Sequence, residues 1–197
     1  RAATAIDPKA LLKKVPYSGR ILGVDPSLRG MGLAVVEFEP NRPHRLLDSL
    51  TLKLKPKVPF VDCLGEIHKA VAAMAEKWNP RHLSGEETIY VNNFKTAQIM
   101  GASRGAALSA AAIRGLPVFE YAPLRVKQAV VGFGRASKEQ IARTMAQMLQ
   151  LPEPLPYDES DAAALALCHA RGDHPPADRA LRTAQRADPQ QSPRPAD

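Results

Sequence analysis

Cysteine is scarce in this chain of 197 residues, with only Cys63 and Cys168 present. Both sit inside apolar helical patterns, far apart and without a partner at metal-ligand spacing, so they read as buried free thiols rather than a disulfide or zinc site. A reducing compartment follows. No apolar run approaches the roughly 20 residues that span a bilayer, and the N-terminal stretch lacks the apolar block of a signal peptide. The expectation is a soluble cytoplasmic protein with no membrane role. Ser/His/Asp and Cys/His arrangements are also missing, so chemistry through a side-chain nucleophile has no candidate. Internal repeats and a second domain are absent as well.

What is abundant is positive charge. The net charge is +7 and the pI is about 9.6, which suggests a polyanionic partner. Residues 1–19 carry Arg1, Lys9, Lys13 and Lys14 against Asp7, a net +3, while four Arg and four Asp cancel over residues 172–197. The remaining +4 belongs to the body, so basic tails alone do not explain the excess. Residues 1–19 read as a flexible basic arm, residues 20–171 as one folded domain, and residues 172–197, rich in Pro, Gln, Ala, Arg and Asp, as a disordered tail.

The body is organised around Arg20 to Glu39, RILGVDPSLRGMGLAVVEFE. Ile21, Leu22 and Val24 read as a strand ending at Asp25; Pro26 and Ser27 interrupt it, Gly30 and Gly32 loosen the connection, and Leu33 to Phe38 read as a second strand. After a turn at Pro40 to Pro43, Arg45 to Leu54 alternates well enough for a third. Val61 to Trp78 has helical apolar spacing, closed by Asn79-Pro80. Leu83 to Val91 is expected to return to the sheet, although Ser84, Gly85, Glu86 and Glu87 make a poor strand by propensity. Phe94 to Arg114 is a long helix of small residues, suited to close approach of the sheet or of a second subunit. Leu116 to Tyr121 is a short strand stopped by Pro123. Two further helices are expected, Lys138 to Leu149 and, after Pro152, Pro154 and Pro156, Asp158 to Arg171.

The last helix opens YDESDAAALALCHA, which puts Asp158 and Asp161 on one face. Two acids there can complement the helix dipole, with Ser160 or Asp158 as N-cap, or bind a metal. The order of elements favours the second reading. Three antiparallel strands, helix, strand, helix, strand and closing helices match a ribonuclease H-like α/β fold with a mixed five-stranded sheet flanked by helices. That layout gathers Asp25, Glu86, Asp158 and Asp161 at one sheet edge. Four crowded carboxylates would raise one another's pKa unless divalent cations compensated them.

Over roughly residues 20 to 171 the chain resembles RuvC-type Holliday junction resolvases. GVDPSLRGMGLAVVE resembles the family's first strand and turn, and the block from Glu86 through Ile141 resembles its central segment without gaps. Asn93, Gly101, Arg104 and Gly105 set the register, which puts the family's acidic position on Glu86 rather than Glu87. LPEPLPYDESDAAALALCHA supplies the closing pair. The resemblance implies a homodimeric endonuclease that makes paired nicks in four-way DNA junctions during recombination and repair. It further implies Mg²⁺, two ions, with Mn²⁺ able to substitute, and cooperation with a RuvA/RuvB-type branch-migration complex. Asp25, Glu86, Asp158 and Asp161 would be the metal-binding catalytic acids, with Lys127 and Lys138 holding phosphates beside them. Arg104 is assigned to phosphate or the dimer interface, and Arg125 and Arg135 to phosphate.

Three departures bear on activity. Ser27 stands where the family has glycine, Ser84-Gly85 replaces an apolar pair, and Ile89 occupies an aromatic position. Because an aliphatic side chain cannot stack on an unpaired base as a ring does, Tyr90 and Phe94 are the candidates to replace it. Those departures keep two other readings open: a catalytically weak or inactive junction-binding module, and a same-fold nuclease acting on RNA. A sugar-kinase-like protein shares the opening strand and acid but needs two such domains and a second phosphate-binding motif.

Overall fold

The computed structural model describes residues 16–87 and 93–172. Its elements are strands β1 (Gly19–Asp25), β2 (Gly30–Phe38) and β3 (Arg45–Lys53), helix α1 (Phe60–Trp78), strand β4 (His82–Glu86), helix α2 (Phe94–Ile113), strand β5 (Val118–Tyr121), and helices α3 (Pro123–Val131), α4 (Lys138–Met148) and α5 (Tyr157–Ala170). The sheet runs β3-β2-β1-β4-β5, antiparallel from β1 to β3 and parallel from β1 through β4 to β5. That is the expected ribonuclease H-like arrangement.

Alternation along the strands builds two cores. Ile21, Ala34 and Val36 join α3, α4 and α5 on one face, while Leu22, Val24, Leu33, Val35 and Leu83 join α1 and α2 on the other. Helix α1 buries Cys63, Ile67, Val71 and Met74, a stripe at helical spacing, and stops at Asn79, whose φ of 44° leaves the helix in the left-handed region. Both cysteines are buried thiols outside any disulfide.

Of the two expected partners for small residues, the sheet is approached most closely by α5 rather than by α2. Helix α2 packs mainly on α1, burying Ala107, Ala110 and Ala111, while Gly101 and Gly105 have nothing within 4 Å of where a Cβ would stand. The tight contact is made by α5. A Cβ on Gly23 would lie 1.8 Å from Ala162 O, and one on Gly32 1.9 Å from Asp158 O. Gly32 is therefore a strand residue that admits the α5 backbone rather than a hinge in the hairpin. Residues 162–169 of α5 are buried without interruption, as expected of a helix enclosed by the sheet and two neighbours.

Helix α3 was not expected. Pro123 stops β5 but also serves as the first residue of α3, where its fixed φ and missing N–H cost nothing. Val126 and Val130, one turn apart, are its buried pair. At the N-terminus, the end of the expected flexible arm joins the fold: Tyr17 packs edge-on against Phe38 at 6.1 Å and its hydroxyl lies 3.2 Å from His82 Nδ1. Histidines take part in the packing as well. His82 Nδ1 is 2.7 Å from Nε2 of the fully buried His169, and His68 Nδ1 is 3.0 Å from Ser109 Oγ. Residues 1–15 of the arm and 173–197 of the tail lie outside the described residues.

Candidate active site

Strand register places the first two acids. Val24 pairs with Gly85 across the parallel β1–β4 ladder, so Asp25 and Glu86 follow at adjacent strand ends, on neighbouring strands about 4.8 Å apart. Gly23, two residues before Asp25, lies under Ala162, and Ser84, two residues before Glu86, donates from Oγ to Leu165 O at 2.7 Å. Side chains two apart share a face, so Asp25 and Glu86 both turn toward α5. The first turn of α5 completes the set: Asp158 Oδ2 lies 3.6 Å from the Cβ position of Gly30, and Asp161 is one turn further on.

The four acids feel one another. Burial pushes the Asp25 carboxyl up to about 7, with Glu86 and Asp161 adding to the rise, Lys138 opposing it and Asp158 raising it further. Glu86 is raised by burial and then by Asp161, against the pull of Lys138 and Lys127. Asp161 is raised by burial although Lys138 Nζ sits 3.1 Å from its Oδ2. Burial works against the charge on Lys138, yet its hydrogen bond to Asp161 and the attraction of Asp161, Asp25 and Asp158 raise its pKa.

No group of three or more described His, Cys, Asp or Glu side chains stands at the spacing of a finished coordination shell. A hard dication with oxygen ligands is the species that relieves four partly buried carboxylates gathered at one edge. The donor set fits.

The sequence singled out neither Glu159 nor the way the first turn of α5 is held. Pro156 is the N-cap, and neither Ser160 nor Asp158 caps by side chain. Glu159 instead accepts from Ser49 Oγ at 2.6 Å and Thr51 Oγ1 at 2.9 Å, fastening that turn to β3. Only the alternating polar face of β3 hinted at this. Ser27 keeps a negative φ, so the turn after Asp25 accommodates its side chain without left-handed backbone. Ser84 does not loosen β4; it ties it to α5.

Lys127 on α3 and Lys138 at the start of α4 both act on this cluster. Arg104 is committed elsewhere: its guanidinium makes a two-pronged ion pair with Glu120, which raises its pKa and joins α2 to β5. That pairing argues against a phosphate role for it. Arg125 is exposed on α3, Arg135 is exposed in the α3–α4 loop, and Phe94, the opening residue of α2, is 77% exposed. Tyr90 and Ile89 lie outside the described residues.

The family model for crossover junction endodeoxyribonuclease RuvC matches residues 21–169. A protein of that name from Pelotomaculum thermopropionicum is 42% identical over 151 residues, covering 76% of this chain and 92% of the relative. Another, from Halothermothrix orenii, is 40% identical over 150 residues, covering 76% and 90%. Among solved structures, T. thermophilus RuvC in complex with a Holliday junction substrate superposes with a TM-score of 0.72 at 35% identity, over 77% of this chain and 93% of that one. The yeast mitochondrial resolvase Ydc2, at 12% identity and a TM-score of 0.55 over 80% of this chain and 79% of its own, shares the fold. With Asp25, Glu86, Asp158 and Asp161 at one edge of such a sheet, the chain belongs to the RuvC family of crossover junction endodeoxyribonucleases.

Proposed function

We propose that this chain resolves four-way DNA junctions by metal-dependent hydrolysis of two opposed strands, acting as a homodimer. The observation that carries this reading is the gathering of four acids at one sheet edge, where the carboxyls of Asp25, Glu86 and Asp161 are raised by burial and by neighbouring acids, with two lysines acting on them. Asp25, Glu86, Asp158 and Asp161 would hold Mg²⁺, with two ions and Mn²⁺ as a substitute, and the metal supplies an activated water and charge stabilisation at the phosphate. The carboxylates orient it and remain ionised. Lys127 and Lys138 offer positive charge to phosphate oxygens, and Lys138 already answers the negative charge of Asp161. This reading needs no side-chain nucleophile, in keeping with the sequence.

The second copy would lie on α2. Gly101 and Gly105, one turn apart, open onto unoccupied space, which lets a second backbone approach closely. Two sites related by a two-fold axis would then meet the two opposed strands of a symmetric junction.

The test is incubation of the protein with a labelled mobile four-way junction or the matching linear duplex, in Mg²⁺, Mn²⁺ or chelator, alongside Asp25→Asn. Paired nicks confined to the junction, absent with chelator and in the variant, are the expected result. Junction binding with no incision by the wild-type chain would overturn it.

A further inference from the structure

On the same α3–α4 stretch as the two lysines lies an exposed apolar feature that the hydrolytic chemistry leaves unused. Phe133 is 47% exposed and Leu124 58% exposed. They sit together because of local backbone geometry. Helix α3 ends at Gly132, with φ +91° and its N–H bonded to Gln128 O at 2.9 Å, which turns the chain back on itself. The loop then runs against the first turn of α3: a Cβ on Gly134 would stand 2.1 Å from Leu124 Cδ1. That first turn begins two residues after Tyr121, the strand partner of Glu86. At its other end the loop enters the Ser137–Gln140 capping box, and the next residue, Lys138, reaches Asp161. The tip of the loop therefore stands on the rim of the carboxylate cluster.

Its surroundings select an occupant. Arg125, Lys127, Arg135 and Lys138 accompany Leu124 and Phe133 along α3, the loop and the start of α4. A ring nearly half exposed, on a stretch of chain that carries four basic residues, is suited to a flat aromatic group that carries phosphates with it. We propose that Phe133, beside Leu124, stacks on an unpaired base at the junction crossover and so distinguishes branched DNA from duplex. This rests on the nuclease reading for the position of the DNA. A fully paired duplex offers no free base face, so the contact would be felt by the junction alone.

The test compares Phe133→Ala, Phe133→Leu and Phe133→Trp with the wild type, measuring affinity in chelator for a labelled four-way junction and for linear duplex of the same sequence. Cleavage in Mg²⁺ and thermal unfolding are followed in parallel. Loss of one base–aromatic stack predicts roughly a tenfold or greater loss of junction affinity in the Ala and Leu variants, with duplex affinity and melting temperature unchanged and Trp restoring the junction. Equal loss on both DNAs, a Leu variant as good as wild type, or an unaffected Ala variant beside a defective Phe94→Ala would each overturn the proposal. Failure of the wild type to cut, with junction affinity still dependent on the ring, would remove the nuclease reading and leave this contact standing.

Discussion

Asp25 carries the largest strain in the site, and it is electrostatic. A carboxyl whose folded pKa is raised from 3.8 to about 7 binds its proton more tightly in the folded than in the unfolded chain. Its contribution to stability is therefore complete below the unfolded pKa and is lost as pH rises through about 7. By linkage the loss amounts to a few kcal/mol, at roughly 1.4 kcal/mol for each tenfold change in proton affinity. Glu86 and Asp161 are raised in the same direction and add to the effect. In chelator, Asp25→Asn should melt higher than wild type at pH 8 and about equally at pH 4, and in Mg²⁺ it should not cut. Differential scanning fluorimetry at the two pH values reads this directly, and a variant less stable than wild type at pH 8 would contradict it. Lys138→Ala should act oppositely, lowering the melting temperature at pH 8 by removing the cation that faces Asp161. The same substitution should flatten the dependence of junction affinity on salt. Each phosphate neutralised contributes about −0.9 to the log–log slope, so a salt titration of the variant should lose about one unit.

Helix α5 and the two strands beneath it set the positions of all four acids. Gly23 and Gly32 make that possible, since any side chain on either would meet α5 backbone below 2 Å, which no rotamer can relieve. Gly23→Ala and Gly32→Ala should each cost at least the roughly 1–3 kcal/mol of an overpacked core, and should misplace Asp158 and Asp161 as α5 lifts. Gly85→Ala is the contrast. Its Cβ would find ordinary contacts at 3.8 Å and beyond, and its φ is not positive. Chain-entropy effects then favour alanine by about 0.4–1 kcal/mol. Chemical denaturation of the three variants separates the two behaviours. The same elements show what the sequence could and could not disclose. Asp25 and the Asp158/Asp161 pair were legible because periodicity and order along the chain define the strand end and the helix face they occupy, whereas Glu86 was separated from the adjacent Glu87 only by the register of the family resemblance. The role of Gly32 was not, because a glycine near a turn looks the same whether it bends the chain or admits a helix. Ser84 looked like a defect in β4 because its partner, Leu165 O, lies 81 residues away in the chain. Helix α3 escaped because nine residues headed by proline offer barely two turns of pattern.

At the scale of the whole molecule, two-fold cutting requires two active sites held at a fixed separation, and one protomer supplies one. The surface best suited to join two copies is the outer face of α2, where Gly101 and Gly105 stand one turn apart with open space beyond them. No described residue of the protomer occupies that space, so a large charged side chain introduced there should leave the fold intact. Glutamate in place of a helical glycine should even favour the helix, by up to about 1 kcal/mol. In a close helix-to-helix interface the same side chain would be buried next to its symmetry mate, and two unpaired carboxylates in that position repel. Gly105→Glu should therefore match or exceed the wild-type melting temperature at low concentration. If the proposed dimer forms through α2, it should sediment as a monomer under conditions that give a dimer of the wild type, and convert paired nicks in a symmetric junction into independent, slower single nicks. Sedimentation velocity gives the mass, and a cruciform plasmid separates the two cutting modes, since paired nicks linearise it and a single nick only relaxes it. A dimeric Gly105→Glu protein with undiminished paired cutting would move the interface off α2.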